Sequence, residues 1–234
     1  MKLIAAFLFV ALLAGGYAVR QKDGREMTLD ACVSEASEGF QAGLPAEYAE
    51  QITIAKIQER MTPLCEELLK RPDVESAPDE DMPRLISETF RAHPETFRPL
   101  CNAVVDADFA LLGELARYVR ENERARFRRE LCRLGVEYID ERSQIDHGRL
   151  VTDHPDLFAP MCGAGIHAGL AEDPVFRKRL TPKQMRSIGR RACKRALATG
   201  VFDVSGPGGF QQPRIDQRAF QELVFRAVVA ETRR

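Results

Sequence analysis

The chain has no tryptophan, only four histidines and only two asparagines in 234 residues. The chain has no indole, and Tyr118 and Phe127 are expected in a core and not as platforms on which bases or sugars stack. Asn102 is followed by Ala-Val and Asn122 by Glu-Arg, so neither is a glycosylation sequon. Serine is scarce, and none of Ser34, Ser37, Ser76, Ser87, Ser143, Ser187 and Ser205 stands in a Gly-x-Ser-x-Gly setting. A serine hydrolase thus lacks its nucleophile elbow. No pair of cysteines is spaced as CxxC or CxxxC, which argues against a zinc site and a dithiol redox site. Ser205-Gly206-Pro207-Gly208-Gly209 lacks the Lys-Ser/Thr of a phosphate loop and follows no strand pattern, so no nucleotide cofactor is expected.

Neither sign of charge dominates. Lys and Arg number 34, Asp and Glu 35, and the net charge is −1, so there is no global attraction to nucleic acid. The distribution is uneven. Residues 20–110 hold 19 acids and 10 bases, and residues 111–234 hold 16 acids and 23 bases. Such a split can steer a partner or simply form two solvated faces. Arg outnumbers Lys 27 to 7, a bias associated with GC-rich bacterial genomes.

Lys2 precedes an unbroken apolar run from Leu3 to Val19. A basic start, an apolar run and the small residues Gly16 and Ala18 describe a secretory signal over residues 1–18, with cleavage before Val19. The alternative is an uncleaved anchor in the inner membrane. The run reaches ~25 Å as a helix, short of a bilayer core of ~30 Å, and Arg20, Lys22 and Arg25 follow it. Both readings place the remainder outside the cytoplasm, in a periplasmic or similar compartment.

Six cysteines, Cys32, Cys65, Cys101, Cys132, Cys162 and Cys193, recur at intervals of 33, 36, 31, 30 and 31 residues. An even count behind an export signal reads as a disulfide framework, and the near-constant interval reads as a repeat. Two segments show the repeat directly: His93-Pro94-Glu95-Thr96-Phe97-Arg98-Pro99-Leu100-Cys101 lies over His154-Pro155-Asp156-Leu157-Phe158-Ala159-Pro160-Met161-Cys162. The first copy, at Cys32, keeps the cysteine without the His-Pro, as terminal repeats often do.

The pattern is helical throughout. Apolar residues at 101, 104, 105, 109, 112, 115 and 119 follow the helical period. Thr181-Pro182-Lys183-Gln184 and Asp173-Pro174 are start signals, and Gly200 is a stop. Asp79-Glu80-Asp81-Met82-Pro83 starts a linker helix carrying Leu85, Ile86 and Phe90. A last helix from about Asp216 to Arg233 caps the array. Turn signals at Gly43, Gly113 and Asp173-Pro174 come 11 or 12 residues after Cys32, Cys101 and Cys162. Each odd cysteine is thus expected to open a helix, and each even one to lie on the returning helix. That pairs Cys32 with Cys65, Cys101 with Cys132, and Cys162 with Cys193. The expected fold is all-α: three tandem disulfide-closed helical hairpins with linker helices, in a single compact or solenoid-like domain. Repeat boundaries fall at 19–80, 81–146 and 147–234.

Chemistry-bearing residues are few. Asp146-His147 and Asp153-His154 are acid–His neighbours in sequence, which point in different directions. His93 and His154 sit where a helix is capped, and His167 lies among Gly and Ala. The Arg-rich stretch from Arg117 to Arg133 is interrupted by Glu121, Glu123 and Glu130, and reads as a salt-bridged helix face. No catalytic, cofactor-binding or metal-ligating residue is assigned. The function expected is that of an exported envelope binding or scaffold protein, non-enzymatic, with a protein partner. A carrier of lipid or another hydrophobe between helices is the alternative, and an enzyme with a His/carboxylate site comes third.

Overall fold

The computed structural model describes residues 28–44, 48, 50–75, 77–140, 145–203 and 214–233. The Leu3–Val19 run and the Ser205–Gly209 loop lie outside them. The described chain is all-α. Its helices are α1 (Leu29–Gly43), α2 (Ile54–Leu68), α3 (Met82–Ala92), α4 (Pro94–Leu111), α5 (Glu121–Leu134), α6 (His147–Asp153), α7 (Pro155–Glu172), α8 (Pro174–Arg179), α9 (Pro182–Ala198) and α10 (Gln217–Thr232). An antiparallel pair of two-residue strands, β1 (Phe202–Asp203) and β2 (Arg214–Ile215), joins Phe202 to Ile215 and Asp203 to Arg214. Neither is long enough to show the alternation by which a strand is read from sequence.

All three disulfides join the expected cysteines. Their Cα–Cα distances are 5.9 Å for Cys32–Cys65, 5.6 Å for Cys101–Cys132 and 5.8 Å for Cys162–Cys193, and no cysteine is free. Three bridges within one chain mark a protein of an oxidising compartment, extracytoplasmic or secreted. Among the described residues no helix is long and apolar enough to cross a membrane.

The described chain divides into two compact units. One contains residues 28–111 and 132–146. Thr28 caps α1 by accepting from the Ala31 N–H. On α2 the buried residues Ile57, Met61, Leu64, Cys65 and Leu68 fall on one stripe. Met82, Leu85, Ile86 and Phe90 do the same on α3. Phe90 meets Phe97 of α4 edge to face, with ring centroids 5.3 Å apart. Each such side chain contributes roughly 1.5–3 kcal/mol by leaving water.

The other unit contains residues 112–131, 147–203 and 214–233. Its centre is the α7–α9 hairpin. Thr181 and Gln184 form a complete capping box at the start of α9, Asp173 caps α8, and Asp216 caps α10. Gly200, at φ +70°, ends α9 in the left-handed conformation that favours glycine. Leu170, Leu180, Met185, Ile188, Ala192 and Ala227 form a cluster, with Val224 and Val228 of α10 packed against it.

The His-Pro copies are structural equivalents 61 positions apart. The His93 N–H bonds the Thr89 carbonyl and its own carbonyl accepts from the Thr96 N–H, at 2.8 and 2.9 Å. The His154 N–H bonds the Leu150 carbonyl and its carbonyl accepts from Leu157, both at 3.0 Å. Each His thus ends one helix and begins the next, with φ/ψ of −128°/67° and −126°/50°. The proline that follows needs no N–H at the first helical position. Both helices so begun run for 18 residues.

One expectation is corrected here. Cys101 and Cys162 do not open their helices. They lie two turns in, because α4 and α7 begin at Pro94 and Pro155, and Pro99 and Pro160 sit inside the helices. Only Cys32, three residues into α1, fits the expected place.

Candidate functional site: a cationic cleft along helix α9

Along α9, Lys183, Arg186, Ser187, Arg190, Arg191 and Lys194 are spaced by three, four or one residue, so they form one face of the helix. This face is polar because the opposite one, Met185, Ile188, Ala192, Cys193 and Ala196, is buried. Together with Arg120, Asp156 and Ala159 it lines a cleft of about 380 Å³. Every lining residue belongs to the second unit. What puts α9 close beside α7 is a contact of bare backbones, Gly163 against Gly189.

The cations of the cleft are unequally neutralised. Glu123, 9% exposed, accepts from Arg120 and Arg190, each at 2.8 Å. Burial disfavours its ionised form. The hydrogen bonds from the Arg120 side chain and backbone N–H, with the Arg190 charge, outweigh that and hold the carboxyl below its usual range. Glu231 of α10 takes Arg191 at 2.8 Å and also accepts from the Ser187 hydroxyl at 3.2 Å. Lys194 pairs with Asp156 at 2.7 Å. Lys183 and Arg186 make no ion pair among the described residues, and the Arg186 Nε–H is buried without an acceptor. Six cationic side chains face three carboxylates.

Arg186 acts inward as well. His167 of α7 is buried, its ring edge to face with Tyr118 at 4.7 Å. Burial, and then the nearby Arg186 charge, push the imidazole below its ordinary value, so it is neutral at pH 7.

His147 begins α6, His154 caps α7, and His167 lies 13 residues further on, ~20 Å along the helix axis. His93 faces Glu95 at 3.2 Å and Glu67 at 3.7 Å. Among the described residues no group of three His, Cys, Asp or Glu side chains is placed to hold a metal ion. The Arg117–Arg133 stretch is salt-bridged as its sequence implies: Arg117 to Glu114, Arg129 to Glu130, and Arg133 to Glu137. Phe127 is core, edge to face with Phe158, while Tyr118 is only half-buried. Seven of the nine residues that line this cleft are charged.

A second buried polar group lies in the first unit. Tyr48 donates its hydroxyl to Asp108 of α4. Burial pushes the Asp108 carboxyl well up, and the Tyr48 hydrogen bond opposes that only in part. Its second oxygen has no partner among the described residues.

Sequence reasoning passed over the cleft. Its cations were visible as single residues, but their common face depends on where α9 begins, and the contribution of Arg120 depends on tertiary packing. Comparison with family models, curated proteins and solved structures finds no match to this chain.

Proposed function

We propose that this chain is an exported, non-enzymatic binding protein of the bacterial envelope, carried out of the cytoplasm by its first 18 residues. Its disulfide-closed helical hairpins are a rigid frame, and its working surface is the cationic face of α9, which receives acidic groups of a partner. The observation that carries this reading is the pair Lys183 and Arg186, without a counter-ion among the described residues in a cleft where every other cation meets a carboxylate. The framework supports it, because rigid helical hairpins present a fixed surface at little ordering cost.

The test is retention on a carboxymethyl cellulose resin as salt is raised. Lys183→Glu with Arg186→Glu should elute at markedly lower salt than the parent. Arg177→Glu with Lys178→Glu on α8, which changes net charge equally on an exposed helix outside the cleft, should change elution little. Equal losses in both variants would reduce the binding to bulk charge and end the proposal.

A further inference from the structure

We infer that the cleft is a receptor for a phosphoryl group, held between Lys183 and Arg186 at the start of α9. This rests on the binding reading above and names its ligand chemistry.

Three features converge on one point. Lys183 is the second residue of α9, where the positive end of the helix dipole disfavours a cation. Arg186 lies three residues on, so two like charges are neighbours on one turn, an arrangement that destabilises a helix in the absence of a counter-ion. The carboxylates of the cleft are committed elsewhere: Glu123 to Arg120 and Arg190, Glu231 to Arg191 and Ser187, and Asp156 to Lys194. A bound anion removes the repulsion and meets the dipole.

Charge selects among anions. A monocarboxylate neutralises one cation and leaves the other of the pair uncompensated. A phosphate monoester carries −1.5 to −2 near neutral pH and has three acceptor oxygens, enough for an ammonium and a guanidinium together. Arg190, half neutralised by a Glu123 it shares with Arg120, is four residues from Arg186 and adds further positive potential. The volume of about 380 Å³ admits a phosphorylated small molecule or a lipid headgroup.

The experiment titrates the exported protein at constant ionic strength with inorganic phosphate, acetate and succinate. The His167 ring resonances in an NMR spectrum report the charge state beside Arg186. In parallel, sedimentation is measured with vesicles of phosphatidic acid in phosphatidylcholine and of phosphatidylcholine alone. Phosphate should move the His167 signals and raise its titration midpoint, where acetate and succinate do so weakly or not at all. Arg186→Gln should weaken the response about tenfold or more, the loss expected for one charge-assisted hydrogen bond. Lys183→Gln, at an exposed position with no packing role, should weaken it in the same direction. Binding to phosphatidic acid vesicles that depends on Lys183 and Arg186, without a response to free phosphate, identifies the same chemistry on a lipid. Succinate or acetate acting as strongly as phosphate would overturn the inference, as would wild-type binding by both variants. If phosphate and the phosphatidic acid vesicles both fail while resin retention still depends on Lys183 and Arg186, the binding reading stands and only the phosphoryl assignment falls.

Discussion

Gly163 and Gly189 touch backbone to backbone where α7 crosses α9. A Cβ built on Gly189 would lie 2.4 Å from the Gly163 carbonyl oxygen, and one on Gly163 would lie 2.8 Å from the Arg190 nitrogen. Both obstacles are main-chain atoms, which cannot rotate away. The crossing sits beside the Cys162–Cys193 bridge, so a covalent tie and a close packing contact fix the same point of the hairpin. Gly189→Ala should therefore push the helices apart and cost about 1–3 kcal/mol or more, as overpacking does. Gly169→Ala on the same α7 meets nothing within 4 Å and should be neutral or stabilising by up to about 1 kcal/mol through helix propensity. Thermal unfolding of the two variants beside the parent checks both directions.

The Cys162–Cys193 bridge closes a loop with a sequence separation of 31. In the chain-entropy account such a loop contributes about 3–4 kcal/mol. Cys162→Ala with Cys193→Ala should lower the denaturant midpoint by a corresponding amount. Loss of stability far below this would mean that the Gly163–Gly189 contact already orders the hairpin unaided.

Burial raises the Asp108 pKa in the folded chain, whereas the unfolded carboxyl ionises near about 3.9. Between the two values the folded state holds a proton that the unfolded state releases. Stability falls as pH rises from about 3.9 toward the folded value, and the penalty persists above it. Asp108→Asn keeps an acceptor for the Tyr48 hydroxyl and has no charge to bury. Urea unfolding at pH 4 and pH 8 should show the parent losing more stability than the variant over that interval. Equal losses would mean that Asp108 is ionised in the native state.

Glu123 has the opposite sign. Its folded pKa is depressed, so its contribution is present above the unfolded value of about 4.3 and is lost as pH falls through the folded one. Glu123→Gln should leave Arg120 and Arg190 facing each other without a full counter-charge, at a cost of about 1–3 kcal/mol at pH 7. The same variant should bind phosphate more tightly, since it adds positive potential to the cleft. A variant that is less stable but unaltered in phosphate response would separate the structural role of Glu123 from the site.

The framework was legible because its signals are local. Cysteine intervals, the Thr181 box, the Asp173 and Asp216 caps and the left-handed Gly200 each need only a few neighbouring residues, and each stands where the sequence puts it. Helix starts were misjudged at Cys101 and Cys162. The expectation counted back from the turn signals after each cysteine, but Pro94 and Pro155 already supply the first turn. The cleft was not legible, because Arg120 and Asp156 reach it only through tertiary packing. The Gly163–Gly189 contact was hidden for the same reason: glycine in a helix reads as a weakness until the opposing backbone is known.

Peptide mass spectrometry without reduction reads the disulfide pairing and the amino terminus of the protein together. Three linked pairs, Cys32–Cys65, Cys101–Cys132 and Cys162–Cys193, and an amino terminus at Val19 are expected. Free thiols together with a retained Met1 would contradict both the frame and the export on which the proposed function depends.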